Sequence, residues 1–296
     1  MSESMAGLRR KIDSAKELQS VVRTMKVLAA SNISQYEQSV RALADYFHAV
    51  ELGLAACFMK RTAMVAASDQ SVKSNVTGAI VFGSDQGLVG QFNEVLADYA
   101  IHTLASLSGE YRVWAVGERV YGYLLDGGIQ VAGLFNVPNS VKAIAPLVGK
   151  IQIETEAQQL SGEFAGVYVF HNSPTSGVMY QPVAQRLLPL DAQWQQKLAK
   201  IHWPTNNIPE VMHGADTLRA LIREYLFISL FRSCAESLSS ENASRLAAME
   251  RANKNIEELL ENLHGTFHRL RQSSIDEELF DVISGYEALS GFTSKT

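Results

Sequence analysis

The chain has 296 residues, 47% hydrophobic and 19% charged, with a net charge of −5. This composition excludes a disordered polypeptide and argues against a general nucleic-acid binder, which needs a basic face to neutralise phosphates. No run approaches the ~18 consecutive apolar residues of a membrane span. The opening stretch carries Glu3, Arg9, Arg10, Lys11 and Asp13, with no apolar core like that of a signal peptide. The only cysteines, Cys57 and Cys234, sit in apolar helical stretches and are expected to be reduced thiols.

All seven prolines lie between Pro138 and Pro209, and fourteen of the twenty glycines lie between Gly78 and Gly177. The pattern is helix, globular middle, helix, with an N-terminal arm at 1–62, an α/β Rossmann-like head at 75–200 and a C-terminal arm at 208–290. Helical arms of this size would span roughly 85 and 120 Å, longer than a compact globule, so the expected shape is a rod with a head.

In the first arm apolar residues recur at Met5, Leu8, Ile12, Ala15, Leu18, Val22, Met25, Ala29, Ile33, Tyr36, Val40, Leu43, Phe47, Val50 and Leu54. Steps of three and four describe a seam facing one partner, and the order Ala15, Leu18, Val22 reads as a small phase slip. From Asn75 the rhythm becomes strand and helix in alternation. Strands are expected at 76–82, 112–116, 130–135 and 166–170, with a hairpin partner at 178–188; helices are expected through about 106, at 119–125 and at 141–159. That alternation gives a mainly parallel sheet with covering helices.

The last arm repeats the seam at Leu246, Met249, Asn253, Ile256, Leu260, Leu263, Phe267 and Leu270, resuming at Ile275, Leu279, Val282, Tyr286 and Leu289. Residues 233–244, rich in Ser and Ala, are expected to soften the helix, with a bend near Ser239–Ser240. Neither seam can stay exposed. Pairing the arms with each other, antiparallel, is the simplest solution; a coiled-coil dimer through each arm is the alternative.

The loop Gly-Ser-Asp-Gln-Gly-Leu-Val-Gly at 83–90 follows a strand and precedes a helix, as phosphate cradles do. It lacks Lys-Ser or Lys-Thr after Gly90 and has no G-x-G-x-x-G, so a structural turn is the better reading. The seven histidines scatter; His264 and His268 share a helix face without an H-E-x-x-H. No nucleophile elbow or serine–histidine–acid set is recognisable. No catalytic residue, cofactor site or metal site is expected.

Residues 5–30, MAGLRRKIDSAKELQSVVRTMKVLAA, resemble the opening helix of the gamma subunit of rotary F-type ATP synthases. GSDQGLVGQFN (83–93) resembles that family's S-D-R-G-L-C-G-G-x-N loop, and VFHNSPTSGVMYQPVAQRLLPL (169–190) its hairpin ending in L-L-P-L. ESLSSENASRLAAMERANKN (236–255) and LRQSSIDEELFDVISGYEAL (270–289) resemble its closing helix. The resemblance covers nearly the whole chain in order.

It implies an α/β head with long N- and C-terminal helices forming an antiparallel coiled coil, working as a rotor shaft. The shaft would stand in a hexamer of alpha and beta subunits, on the ring of membrane c-subunits, beside the epsilon subunit. It would couple ion flow to ATP synthesis or hydrolysis without catalysing either, held at the cytoplasmic face of a bacterial inner membrane. By position, Met25 and Lys26 match a contact region with a beta-subunit loop, and Arg245, Arg271, Gln272 and Glu278 match polar hexamer contacts. Departures are Gln86 for Arg, Val89 for Cys, Gln91 for Gly and Asp276 where Thr is common. They suggest a divergent branch; proton or sodium coupling is decided in the c-ring.

Two other classes stay in play. A nucleotide-binding enzyme would use the 83–90 loop, and a static coiled-coil scaffold would form a stable homodimer.

Overall fold

The computed structural model describes residues 4–61, 76–107, 109–160, 166–175, 179–188, 201 and 214–293. Ten elements follow in chain order: α1 (Met5–Arg61), β1 (Val76–Phe82), α2 (Phe92–Ser106), β2 (Glu110–Val116), α3 (Glu118–Asp126), β3 (Val131–Phe135), α4 (Val141–Leu160), β4 (Gly166–Ser173), β5 (Gln181–Leu188) and α5 (Gly214–Thr293). These match the sequence expectation within a few residues. The turn at 176–178 and the Pro189–Leu190 end of the hairpin motif lie outside the described residues. Two compact units emerge, Met1–Leu28 with Leu246–Thr296, and Ala29–Arg245, so each long helix contributes to both.

Residues 29–245 hold a five-stranded sheet in the order β3-β2-β1-β4-β5. β1 runs parallel to β2 and β4, β2 parallel to β3, and only the β4–β5 hairpin is antiparallel. β1 is apolar from Gly78 to Phe82 because it is covered on both faces, as central strands of parallel sheets are. On one face Ile80, Phe82, Val116, Val167 and Val169 meet Ile144, Val148 and Ile151 of α4, Leu230, Cys234 and Leu238 of α5, and Tyr36 of α1. On the other, Ala79, Val81, Val113, Ala115 and Phe170 meet Leu96, Ala100 and Leu104 of α2 and Val120 and Leu124 of α3. Fully burying side chains the size of Phe82 or Ile144 contributes about 1.5–3 kcal/mol each. A further cluster, with Val50, Leu54, Leu218, Tyr225 and Ile228, joins α1 to the start of α5. Cys57 and Cys234 are buried and free; burial raises both thiols above their ordinary range, leaving them apolar fillers.

In the other unit, the α1 residues up to Leu28 pair antiparallel with α5. Gln19 Nε2 donates to Glu257 Oε1 at 3.4 Å, and Lys26 Nζ lies 3.1 Å from Glu250 Oε1. Each step of seven along α1 is matched by seven backwards along α5, the spacing of a heptad seam. Val22, Met249 and Ile256 form its apolar centre, with Met25, Ala252 and Leu260 packed against them.

The phase slip expected at Leu18 does not occur. Leu18 is 55% exposed, and Gln19 takes its place in the seam. The inward positions then run Leu8, Ile12, Ala15, Gln19, Val22, Lys26 and Ala29 in an unbroken alternation of four and three. A hydrophobicity pattern could not show this, because two members of the seam are polar and find their partners on the opposite helix.

The expected softening at 233–244 is absent too, and α5 is helical from Gly214 to Thr293. The serines there are buried: Ser229, Ser233, Ser237, Ser239, Ser240 and Ser244 are each at most 5% exposed. Small side chains let the helix backbone approach the sheet and the 83–90 loop closely, so this stretch is a packing face.

Candidate functional site

The 83–90 loop is built from the inside. Gly83 has no room for a side chain: a Cβ would stand 2.3 Å from the Val120 Cβ and 2.8 Å from Asn93 Oδ1. The Ser84 backbone N–H donates to Asn93 Oδ1 (2.9 Å), and Asn93 Nδ2 donates back to Ser84 Oγ (2.8 Å). Asp85 spends its carboxylate on two backbone donors, Glu118 N at the start of α3 (3.0 Å) and Val137 N beyond β3 (2.9 Å). A carboxylate at a helix start is where the helix dipole favours a negative charge. The chain therefore supplies its own anion at α3. Gly117, opposite the loop, has φ +114°, and a Cβ on it would lie 2.7 Å from Ser84 O; only glycine fits both demands. The Ser84 and Asp85 side chains are engaged in holding the sheet ends together, as in a structural turn.

α5 carries the polar half of this junction. Ser237 Oγ donates to Phe82 O at the end of β1 (2.8 Å), and Ser244 Oγ donates to Val89 O in the loop. One turn before Ser244–Arg245, the side chain of Glu241, 8% exposed, pairs with Arg245, 12% exposed. Burial raises the Glu241 carboxyl above its ordinary value, with the guanidinium opposing. Asn242 accepts from Asn32 of α1 (3.3 Å) and from Arg245 (3.4 Å).

A second polar group lies on the β4–β5 side. Glu236 accepts from Arg232 Nε (2.7 Å), Ser173 Oγ (2.9 Å) and the His171 Nε2–H (3.0 Å). Burial pushes this carboxyl up, but the hydrogen bonds and charges of His171 and Arg232 outweigh it and hold it down at about 2. With Phe47, Val183, Gln185 and Ser229 these groups line an open cleft of about 270 Å³. Among the described residues no group of three or more His, Cys, Asp or Glu could hold a metal.

The six residues expected from the sequence to meet partners fall into two sets. Met25 is half-buried against the Val22–Met249–Ile256 centre, Lys26 pairs with Glu250, and Arg245 is nearly buried on Glu241. Arg271, Gln272 and Glu278 are exposed on the far part of α5. At the register set by Gln19–Glu257 and Lys26–Glu250, Met5 stands opposite Arg271. The residues beyond therefore find no cover on α1: Ile275 is 54% exposed, Leu279 57%, Phe280 69%, Val282 70% and Ile283 45%. The seam expected to resume at Ile275, Leu279 and Val282 is thus not buried within the chain; the side chains of Tyr286 and Leu289 lie outside the described residues.

Taken together, a mixed α/β head and two long helices that pair antiparallel over their outer parts define a helical-arm protein. The chain belongs to the ATP synthase family, whose model matches residues 4–289. Named relatives are ATP synthase gamma chains. That of Bdellovibrio bacteriovorus is 26% identical over 97% of this chain and 99% of its own length, and that of Syntrophobacter fumaroxidans 28% identical over 97% and 99%. That of Nitrosomonas eutropha is 27% identical over 95% and 98%. Among solved structures, a chain of the Euglena gracilis mitochondrial ATP synthase (OSCP, F1 and c-ring, rotational state 3) shares the fold. Its TM-score is 0.65 at 16% identity, covering 99% of this chain and 96% of that one. The rotor of the same enzyme in rotational state 1 gives 0.60 at 15%, over 92% and 98%. A central-stalk chain of the Tetrahymena thermophila enzyme gives 0.56 at 20%, over 78% and 99%.

Proposed function

We propose that this chain is the gamma subunit, the central rotor shaft, of an F-type ATP synthase. One observation carries this reading within the family: α5 continues past the cover of α1 and exposes Ile275, Leu279, Phe280, Val282 and Ile283, five large apolar residues within nine positions. Such a surface needs an enclosing partner. A sleeve of alpha and beta subunits supplies one. The helix meets each catalytic subunit with a different side, and differential contact biases each toward a different nucleotide state. Ion-driven rotation of a c-subunit ring, standing with the epsilon subunit at the other end, then releases ATP in turn, and hydrolysis drives the reverse.

The working parts are the arms at 1–62 and 208–290 and the head at 75–200. Arg271, Gln272 and Glu278 are the polar contacts with the hexamer. Met25, packed in the seam, and Lys26, half-exposed beside Glu250, meet a beta-subunit loop from the helix pair. Arg245 contributes from a position already fixed by Glu241. The subunit is non-catalytic and peripheral, held at the cytoplasmic face of a bacterial membrane through its partners. No helix among the described residues is long and apolar enough to cross one.

The test is co-expression with the host's alpha and beta subunits. A complex of three alpha, three beta and one copy of this chain, hydrolysing ATP far faster than the mixture without it, is the expected result. Failure to associate, with a stable homodimer instead, would overturn the proposal in favour of a scaffold.

A further inference from the structure

Besides the bonds of Glu236 to His171 and Ser173 of β4, α5 touches β1 and the 83–90 loop in two ways that differ in what they resist. Its apolar side chains, Leu230, Cys234, Ala235 and Leu238, lie against Ile80, Phe82 and Val116 of the sheet. Apolar contact is non-directional, so it holds the helix to the sheet but opposes sliding and turning only through shape. The hydroxyls of Ser237 and Ser244 are directional. They are seven residues apart, two turns and about 10 Å along one side of the helix. Their acceptors, the carbonyls of Phe82 and Val89, are also seven residues apart in the head. Two bonds separated along the helix axis fix both its height and its rotation, which a single bond cannot do.

We infer that Ser237 and Ser244 are a latch at β1 and the 83–90 loop through which torque passes between the head and α5. This deepens the rotor reading and rests on it. Both residues are positioning residues, and neither touches nucleotide. Both hydroxyls are deep in the structure, Ser237 2% and Ser244 5% exposed, so water cannot replace a lost bond cheaply. The loop that offers Val89 is itself tied to the sheet ends by Asn93 and Asp85, so the acceptor does not yield when α5 is loaded.

The same helix carries its own control. Ser240, three residues after Ser237, is fully buried, and its hydroxyl has no hydrogen-bond partner among the described residues. Removing an unpartnered hydroxyl costs little, whereas removing Ser237 or Ser244 takes a donor from a buried carbonyl: Phe82 O loses its side-chain bond and Val89 O keeps the longer one from the Phe92 N–H (3.3 Å). If burial of small polar groups were all that mattered, Ser237, Ser240 and Ser244 would behave alike.

The experiment uses the complete membrane-bound complex carrying Ser237→Ala, Ser244→Ala, both, or Ser240→Ala, compared at equal amounts of assembled complex. ATP hydrolysis is read with the membrane made leaky, and the steepest ion gradient reached is read with it sealed. We expect the double variant to hydrolyse ATP at the wild-type rate without load and to reach a gradient about half as steep. Backbone amides of α5 around 237–245 should exchange about tenfold faster, a local opening of the latch. Ser240→Ala should match wild type in both readings. A double variant that holds the full gradient, or a Ser240→Ala that loses as much, would overturn the latch. A wild-type chain that fails to assemble with the hexamer at all would overturn the rotor reading instead.

Discussion

Glu236 shows what a single charge does in this head. Its carboxyl is held at about 2 by His171 and Arg232 despite burial, against an ordinary value of 4.5. A folded value below the unfolded one means the group stabilises the fold above pH ~4.5, and that this stability is lost as pH falls toward 2. Because the site is part-exposed, about 2 kcal/mol is a fair size. Glu236→Gln should lower the melting temperature at neutral pH by several degrees and flatten the loss of stability between pH 4.5 and 2. Equal slopes for variant and wild type in acid melts would show that the carboxylate is not the anchor. Asp85 makes a companion case. Asp85→Ala strands the part-buried N–H of Val137, while water can reach that of Glu118, and should cost about 1 kcal/mol in urea unfolding. The residue stood in plain view within the 83–90 motif, yet its role did not. Its partners lie 33 and 52 residues downstream, and no local pattern reports a carboxylate reaching that far.

Elements were legible where burial was regular. β1 reads as a buried strand because both its faces are covered, and α1 and α5 read as helices because nothing in them interrupts the three-and-four rhythm. The exceptions share one cause, polar residues placed in packed positions by partners distant in sequence. Gln19 stands in the seam because Glu257 receives its amide, and the serine face of α5 is buried because Phe82 and Val89 offer carbonyls. A polar member of an apolar seam trades stability for register. Gln19→Leu should therefore raise the thermal stability of the helix pair, by about 1 kcal/mol, while loosening its antiparallel register. Cysteines placed at positions 26 and 250 would report the register by disulfide formation. A Gln19→Leu chain that cross-links as selectively as the same cysteine pair with Gln19 in place would show that the register does not depend on Gln19.

At the scale of the whole molecule, the site was the least legible part, because a shaft has no reacting group to betray it. Family resemblance placed six contact residues, and the structure separates those with intramolecular partners from those facing outward. Arg271, Gln272 and Glu278 share their stretch of helix with Ile275, Leu279 and Val282, so charge and apolar area are exposed there together. That separation yields a graded expectation for truncation. Ending the chain after Ser284 leaves the exposed run Ile275–Ile283 in place. The complex should then lose part of its torque but keep pumping, because a shaft gripped along its length tolerates the loss of its tip. Ending it after Leu270 removes the exposed run Ile275–Ile283, together with Arg271, Gln272 and Glu278. The Leu8–Lys26 seam and the α5 residues opposite it, up to His268, remain, so the chain should fold and join the hexamer with an unchanged head. ATP hydrolysis should persist at a reduced rate while ATP-driven ion pumping falls away, because the catalytic subunits no longer meet a surface that differs from side to side. The two quantities are read on the same membranes, as phosphate release and as quenching of a gradient-sensitive dye. Full pumping by the chain ending at Leu270 would mean that the exposed run is not the coupling surface. Coupling would then lie along the paired helices, with Lys26 as the first residue to replace.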